Sequence, residues 1–145
     1  MRAYVDREKF EDVLGKAKQA VERRSAISML SRFKLTADEG KVYVYATDLE
    51  NFLVFEVPAR VEVKGETSVD ADKIRSVVKN LSSAEVYMEL VGDKLIVKGG
   101  RSQFRLVCAD PFEFPEFPQA VVKDQIPSSI LSRAISKVEY AVSKE

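Results

Sequence analysis

A stretch of sequence that occurs twice does most to limit what this chain can fold into. Val5-Asp6-Arg7-Glu8-Lys9-Phe10-Glu11-Asp12-Val13-Leu14 and Val69-Asp70-Ala71-Asp72-Lys73-Ile74-Arg75-Ser76-Val77-Val78 follow one order. Each reads as a strand end, an aspartate cap, an acidic residue, a lysine, and then apolar residues at helical spacing. A weaker third copy runs Ile126-Pro127-Ser128-Ser129-Ile130-Leu131-Ser132-Arg133-Ala134-Ile135. Three strand-like runs follow each of the first two copies, and the chain stops soon after the third. Any capped amphipathic helix shares part of this pattern. The simplest description is still two full strand–helix–three-strand units and the opening of another.

The helices are legible from period and caps. Phe10, Val13, Leu14, Ala17 and Val21 fall on one face of a helix over residues 7–22, with Asp6 as N-cap. Asp6, Glu8 and Glu11 put negative charge at the positive end of its dipole. A second helix fits residues 71–80, capped by Asp70, with Ile74, Val77, Val78 and Leu81 inward. A third fits 128–143, behind Pro127, with Leu131, Ala134, Ile135, Val138 and Val142 on one side. Strand alternation covers 30–37, 41–47, 51–63, 85–91, 94–98 and 101–107. Asp38-Glu39-Gly40, Gly92-Asp93 and Gly99-Gly100 are the expected hairpin turns. Residues 110–118 hold three prolines and three phenylalanines, which suits an extended linker pinned to the domain surface by its aromatic rings. The fold class is α+β, with residues 1–63 and 64–120 as the two repeats of one domain, the linker 110–120 at its end. Residues 121–145 are the first strand and helix of a truncated second domain.

Composition narrows the chemistry. The chain of 145 residues has no histidine and one cysteine, Cys108. That removes the usual serine and cysteine triads, an internal disulfide and most transition-metal sites. None of its six glycines builds a phosphate-cradling loop. The reading is therefore a non-enzymatic protein without a cofactor or metal. No apolar run is long enough to span a bilayer and the N-terminus has no signal-peptide pattern, so a cytoplasmic location is expected. Lys+Arg and Asp+Glu are equal at 23 each, so charge alone does not make the whole chain a nucleic-acid binder.

Charge is nonetheless unevenly placed. Lys9, Lys16 and Arg23 recur every second turn opposite the first helix's apolar face, with Lys18 and Arg24 near its end. The second helix offers Lys73, Arg75 and Lys79 against Asp72, and the third offers Arg133 and Lys137. Carboxylates such as Asp38, Glu39, Asp48, Glu50, Glu56 and Glu62 concentrate in strands and turns. If both units put their helices on one face, that face is basic and suited to phosphate. Basic residues also cover ordinary solvated helices, and the pattern alone leaves both readings open.

Several short motifs carry a resemblance. Val5-Asp6-Arg7-Glu8, Arg24-Ser25-Ala26-Ile27 with Leu30, Ala46-Thr47-Asp48-Leu49-Glu50, Gly100-Arg101-Ser102-Gln103-Phe104 and Phe114-Pro115 occur in order along the chain. Together they are similar to the N-terminal part of the bacterial sliding clamp, the beta subunit of DNA polymerase III. The resemblance implies a DNA-clamp fold whose helices line a hole around duplex DNA and whose sheets form the outside. It implies a processivity factor, and a subunit that closes head to tail with another. Arg24 matches a position implicated in DNA contact; Lys16, Arg23, Lys73, Arg75 and Lys79 join it from helical faces. Lys73, Ile74, Arg101, Gln103 and Phe104 would form half of a subunit interface. Homo-oligomers and double-stranded DNA are the implied partners. Polymerase and clamp-loader peptides bind the family between later domains, in a groove this chain lacks.

The departures from the family pattern are specific. Asp72 stands where the family often has arginine. Ser28 replaces a usual proline, Arg32 a common asparagine, and Lys34 an expected apolar residue. The third helix lacks the strands that would cover its apolar face, leaving three outcomes: fraying, packing back, or swapping into another copy. An alternative function is a protein-interaction module that keeps the clamp fold without encircling DNA.

Overall fold

The structure is a computed structural model that describes residues 1–21, 28–119, 121 and 123–143. In each unit a strand runs directly into a helix. β1 (Arg2–Asp6) leads into α1 (Arg7–Ala17), and β5 (Gly65–Asp70) leads into α2 (Ala71–Asn80). The two caps are made identically. The Asp6 carboxylate accepts the Lys9 N–H at 2.9 Å, and that of Asp70 accepts the Lys73 N–H at 2.8 Å. Each satisfies a backbone donor that the first turn would otherwise leave unpaired. The repeat in the sequence is thus a repeat in local hydrogen bonding.

The remaining strands are β2 (Arg32–Asp38), β3 (Lys41–Thr47) and β4 (Phe52–Val63) in the first unit. The second unit has β6 (Glu85–Val91), β7 (Lys94–Gly99) and β8 (Ser102–Ala109). All pairings are antiparallel, in the closed order β1-β4-β3-β2-β5-β8-β7-β6. Each unit's opening strand sits between the last strand of its own unit and a hairpin strand of the other: β1 between β4 and β6, β5 between β8 and β2. The two units are therefore interlocked and related by a pseudo-two-fold. One pair of bonds marks the equivalence: Ala59 N–H to Gly40 C=O and Cys108 N–H to Asp93 C=O, both 2.8 Å.

Strand alternation sends Phe33, Leu35 and Ala37, Val42, Val44 and Ala46, Val86 and Met88, and Leu95 and Val97 inward. They meet Phe10 and Leu14 of α1 and Ile74 and Val78 of α2 in one core. Each fully buried large side chain contributes about 1.5–3 kcal/mol relative to exposure. The two helices pack against each other, α1 also against β3 and β4 and α2 against β5 and β8, leaving one face of each helix outside. This is the expected α+β arrangement, with helices on one face of the sheets.

Some boundaries differ from the sequence reading. α1 passes at Lys18–Ala20 into a 3-10 turn instead of running on to residue 22. Ser28–Ser31 form another 3-10 turn, closed by the Ser31 hydroxyl donating to the Ser28 carbonyl, so β2 starts at Arg32. The last hairpin turns at Gly100-Arg101 because Gly99 is a buried strand residue: a Cβ there would stand 3.0 Å from Leu81. Of the linker phenylalanines, Phe114 is buried and Phe117 meets Tyr45 and Phe52 edge-on, but Phe112 is 87% exposed and pins nothing. The strand expected ahead of the third helix is not formed over residues 121 and 123–127, which have no strand beside them to pair with. The helix itself, α3 (Ser128–Val138), forms and is exposed along its length. It does not pack back on the domain.

Two of the unusual residues have partners. Lys34 pairs with Glu66 on the neighbouring β5 at 3.0 Å, and the Arg32 guanidinium donates to the Ser68 carbonyl at 3.3 Å. Both tie β2 to β5, the strand contributed by the other unit.

Candidate nucleic-acid interface

The side of α1 and α2 turned away from the core forms one surface. Helical period fixes which residues it shows: with Phe10, Val13, Leu14 and Ala17 inward, Lys9, Asp12 and Lys16 are exposed. With Ala71, Ile74, Val77 and Val78 inward, α2 exposes Asp72, Lys73, Arg75 and Lys79. A shallow cleft between the helices is lined by Arg7, Glu11, Lys16 and Gln19 on one side and Arg75 on the other. Arg75 also lines a second cleft with Asp72, Ser76 and Lys79. The structure thus brings Lys16, Arg75 and Lys79 together around one guanidinium, with Lys73 on the same helix.

The charges on the two helices are not equivalent. On α1 the cations are compensated: Lys16 reaches Asp12 at 2.6 Å and Arg7 reaches Glu11 at 2.7 Å, each one turn away. Lys18, its side chain only 9% exposed, crosses to Asp72 of α2 at 2.8 Å. Lys9, Lys73, Arg75 and Lys79 have no ion pair among the described residues. The free positive charge of the described face therefore lies mainly on α2, because Lys16 and Lys18 are paired. Pairing inside α1 could have been read from Asp12 and Lys16 at i and i+4; the bond between helices could not. Arg23 and Arg24 lie outside the described residues.

Of the residues expected at a subunit interface, Lys73, Arg101, Gln103 and Phe104 are exposed, the last three along β8 and its turn. Ile74 is a correction. It is fully buried in the core, because its place in the helical period that orients Val77 and Val78 turns it inward. It cannot touch another subunit while the fold is intact. Arg105 and Val107, exposed on the same strand, were not singled out from sequence, although the alternation with buried Leu106 points to them.

The groups with shifted pKa values lie away from this surface, on the sheets and loops. Glu89 is held below the usual carboxylate range by the Arg2 guanidinium and the Tyr87 hydroxyl, both of which donate to it. Asp38 is lowered by Lys64, and Asp48 by the backbone and side chain of Asn51. No group of carboxylates and cysteine with metal-holding geometry occurs among the described residues. Nor is any helix among them long and apolar enough to cross a membrane. The helical surface offers separated cations on a shallow relief, a form suited to touching phosphates and unsuited to enclosing a small molecule.

Comparison with known proteins settles the family. The profile of the DNA polymerase III beta subunit, N-terminal domain, matches residues 1–118. The chain belongs to that family. A beta sliding clamp of Caulobacter vibrioides is 29% identical over the whole of this chain, which spans 40% of that relative. A beta sliding clamp of Micrococcus luteus is 27% identical, with 47% of its length covered. Among solved structures, the polymerase III beta of Caulobacter crescentus matches all of this chain with a TM-score of 0.88 at 27% identity, over 40% of its own length. The beta subunit of Streptococcus pyogenes matches with a TM-score of 0.90 at 16% identity, a likeness of fold. The chain spans less than half the length of these clamp relatives.

Proposed function

We propose that this chain is the DNA-facing, N-terminal part of a replication sliding clamp, a non-catalytic processivity element that meets duplex DNA through the exposed sides of α1 and α2. The observation that carries the reading is Lys73, Arg75 and Lys79, exposed on one helix of a clamp-family domain and without an ion pair among the described residues. Arg23 and Arg24, outside the described residues, join them on the strength of the family resemblance alone. A ring that holds DNA by topology needs weak contacts that read no sequence and exchange easily. A face on which Lys16 and Lys18 are already neutralised by carboxylates fits that need. Residues 1–120 serve as the clamp domain and 121–145 as the opening of the next, in a cytoplasmic protein acting on chromosomal DNA.

Binding of a labelled duplex, followed by fluorescence anisotropy at several salt concentrations, tests this. Replacing Lys73, Arg75 and Lys79 together with alanine should weaken binding equally for unrelated sequences. It should also flatten the salt dependence by up to about 2.7 in log–log slope, at about 0.9 per lost phosphate contact. Asp72→Asn, which removes the anion beside them, should strengthen binding. Unchanged binding in the triple variant would remove the helical face from the account.

A second reading rests on the exposed edge of β8. It takes the chain to be a module that binds a longer clamp through that edge without surrounding DNA. In that case the triple variant keeps its full affinity for the clamp and substitutions at Gln103 and Phe104 abolish it.

A further inference from the structure

The linker after β8 straps a hollow on the side of the sheet away from the core. Alternation along β2 turns Phe33 and Leu35 to the core and leaves Lys34 and Thr36 on that outer side. The strap is anchored at two rings: Phe114 is buried, and Phe117 stacks on it at 6.1 Å while meeting Tyr45 and Phe52 edge-on. Between strap and strands lies a cleft of about 540 Å³, a size usual for sites that take a ligand. Lys34, Tyr45 and Glu66 line its sheet side, and Phe112 and Glu116 its linker side. Phe112, 87% exposed, does nothing to attach the linker; its ring is a wall of the cleft.

Charge decides what such a cleft can take. It holds one lysine against two glutamates, a net charge of −1. Lys34 is already paired with Glu66 at 3.0 Å and offers little to an anion. Glu116 is exposed and has no ion pair among the described residues. The free ring of Phe112 can receive a cation over its face, and a carboxylate beside it adds to that attraction. A guanidinium answers to both, being flat enough to lie on a ring and able to donate twice to one carboxylate. A second hollow adjoins the first across Glu66 and Pro111 and brings in Asp93 and Asp110. An extended segment seated in the first hollow therefore runs on past further carboxylates, whereas a bare ion would use only a corner of the space.

We propose that this cleft receives an arginine side chain from an extended segment of a partner protein, with the guanidinium paired to Glu116 and lying against Phe112. The site is built by the first domain and its linker alone. It does not use the exposed faces of α1 and α2, so it stands or falls separately from the DNA reading.

An amide chemical-shift titration of the full 145-residue chain with the peptide acetyl-Ala-Arg-Ala-amide tests this. Saturable shifts should gather over residues 111–119 and around Tyr45 and Glu66. The same peptide with citrulline for arginine keeps the shape without the charge and should bind about tenfold more weakly. E116Q should weaken the arginine peptide by about the same factor, since each change removes a charge-assisted bond. F112A should weaken it about two- to fivefold, as for an exposed cation–π contact. K34M frees Glu66 and should tighten binding, whereas a cleft built for anions would lose its ligand. Guanidinium chloride at the peptide's concentration should not displace the peptide. Equal binding of the citrulline peptide, weaker binding in K34M, or displacement by guanidinium would each overturn the proposal. So would shifts centred on other carboxylates, such as Asp48 and Glu50.

Discussion

Asp72 shows how a single residue changes the character of the helical surface. It engages Lys18 across the two helices, and the side chain of Lys18 is almost entirely covered. The pair holds α1 to α2 and neutralises one cation, while the Asp72 carboxylate stays exposed on the surface. Glu89 plays a comparable part on the outer sheet. The Arg2 guanidinium donates to it at 2.6 Å and the Tyr87 hydroxyl at 2.7 Å, while Arg60 lies 3.8 Å over the ring of Tyr4 beside them. Because these bonds hold its carboxyl below the ordinary value of 4.5, Glu89 stabilises the fold at neutral pH. The contribution is complete above that value and disappears as pH falls through the lowered one. Thermal melts of wild type and E89Q should therefore show wild type ahead at neutral pH and the two converging in acid. A gap that stays constant into strong acid would mean that the ionised carboxylate is not what Glu89 contributes. The charges themselves were plain in the sequence, but which cation would find which anion was not. Lys18 and Asp72 belong to different repeats and meet only once the helices pack.

At the scale of elements, what was legible is what depends on neighbours in the chain. The aspartate caps and the apolar period placed α1 and α2, and α2 runs over the residues expected, because a cap and its helix lie within one turn of each other. The misplaced turn at Gly100-Arg101 depended on Leu81, distant in sequence, filling the space beside Gly99. The missing strand ahead of α3 has a similar cause, since a strand persists only beside a partner. The linker illustrates both cases. Three phenylalanines looked equivalent in sequence, yet Phe114 is 5% exposed and stacks with Phe117, while Phe112 points to solvent. Chemical denaturation should accordingly show F114A losing about 2 kcal/mol, the value of burying one such side chain. F112A should stay within about 0.5 kcal/mol of wild type, as for an ordinary surface position. Equal losses would show that the linker is held by something other than its buried ring.

For the whole molecule, an internal repeat has become a domain that is nearly symmetric in backbone and strongly asymmetric in charge. The helical side carries cations, partly compensated on α1 and free on α2, and the sheet side carries salt-bridged networks such as Arg2–Glu89 and Lys64–Asp38. This division explains how a chain with no net charge can still offer phosphate a basic surface. Which residues the proposed surface exposes was readable from helical period, because that decides which of them face away from a core. Its strength was not, because pairing among Asp12, Lys16, Lys18 and Asp72 is settled by three-dimensional contact.

The central claim is that the exposed faces of α1 and α2 are where DNA is met. The most direct measurement is a titration of the isotopically labelled chain with two duplexes of unrelated sequence, read by amide chemical shifts. The account predicts shifts at Lys9, Lys73, Arg75 and Lys79 and their neighbours, alike for both duplexes and reversed by added salt. Shifts confined to the outer sheet, or a pattern that changes with DNA sequence, would contradict it.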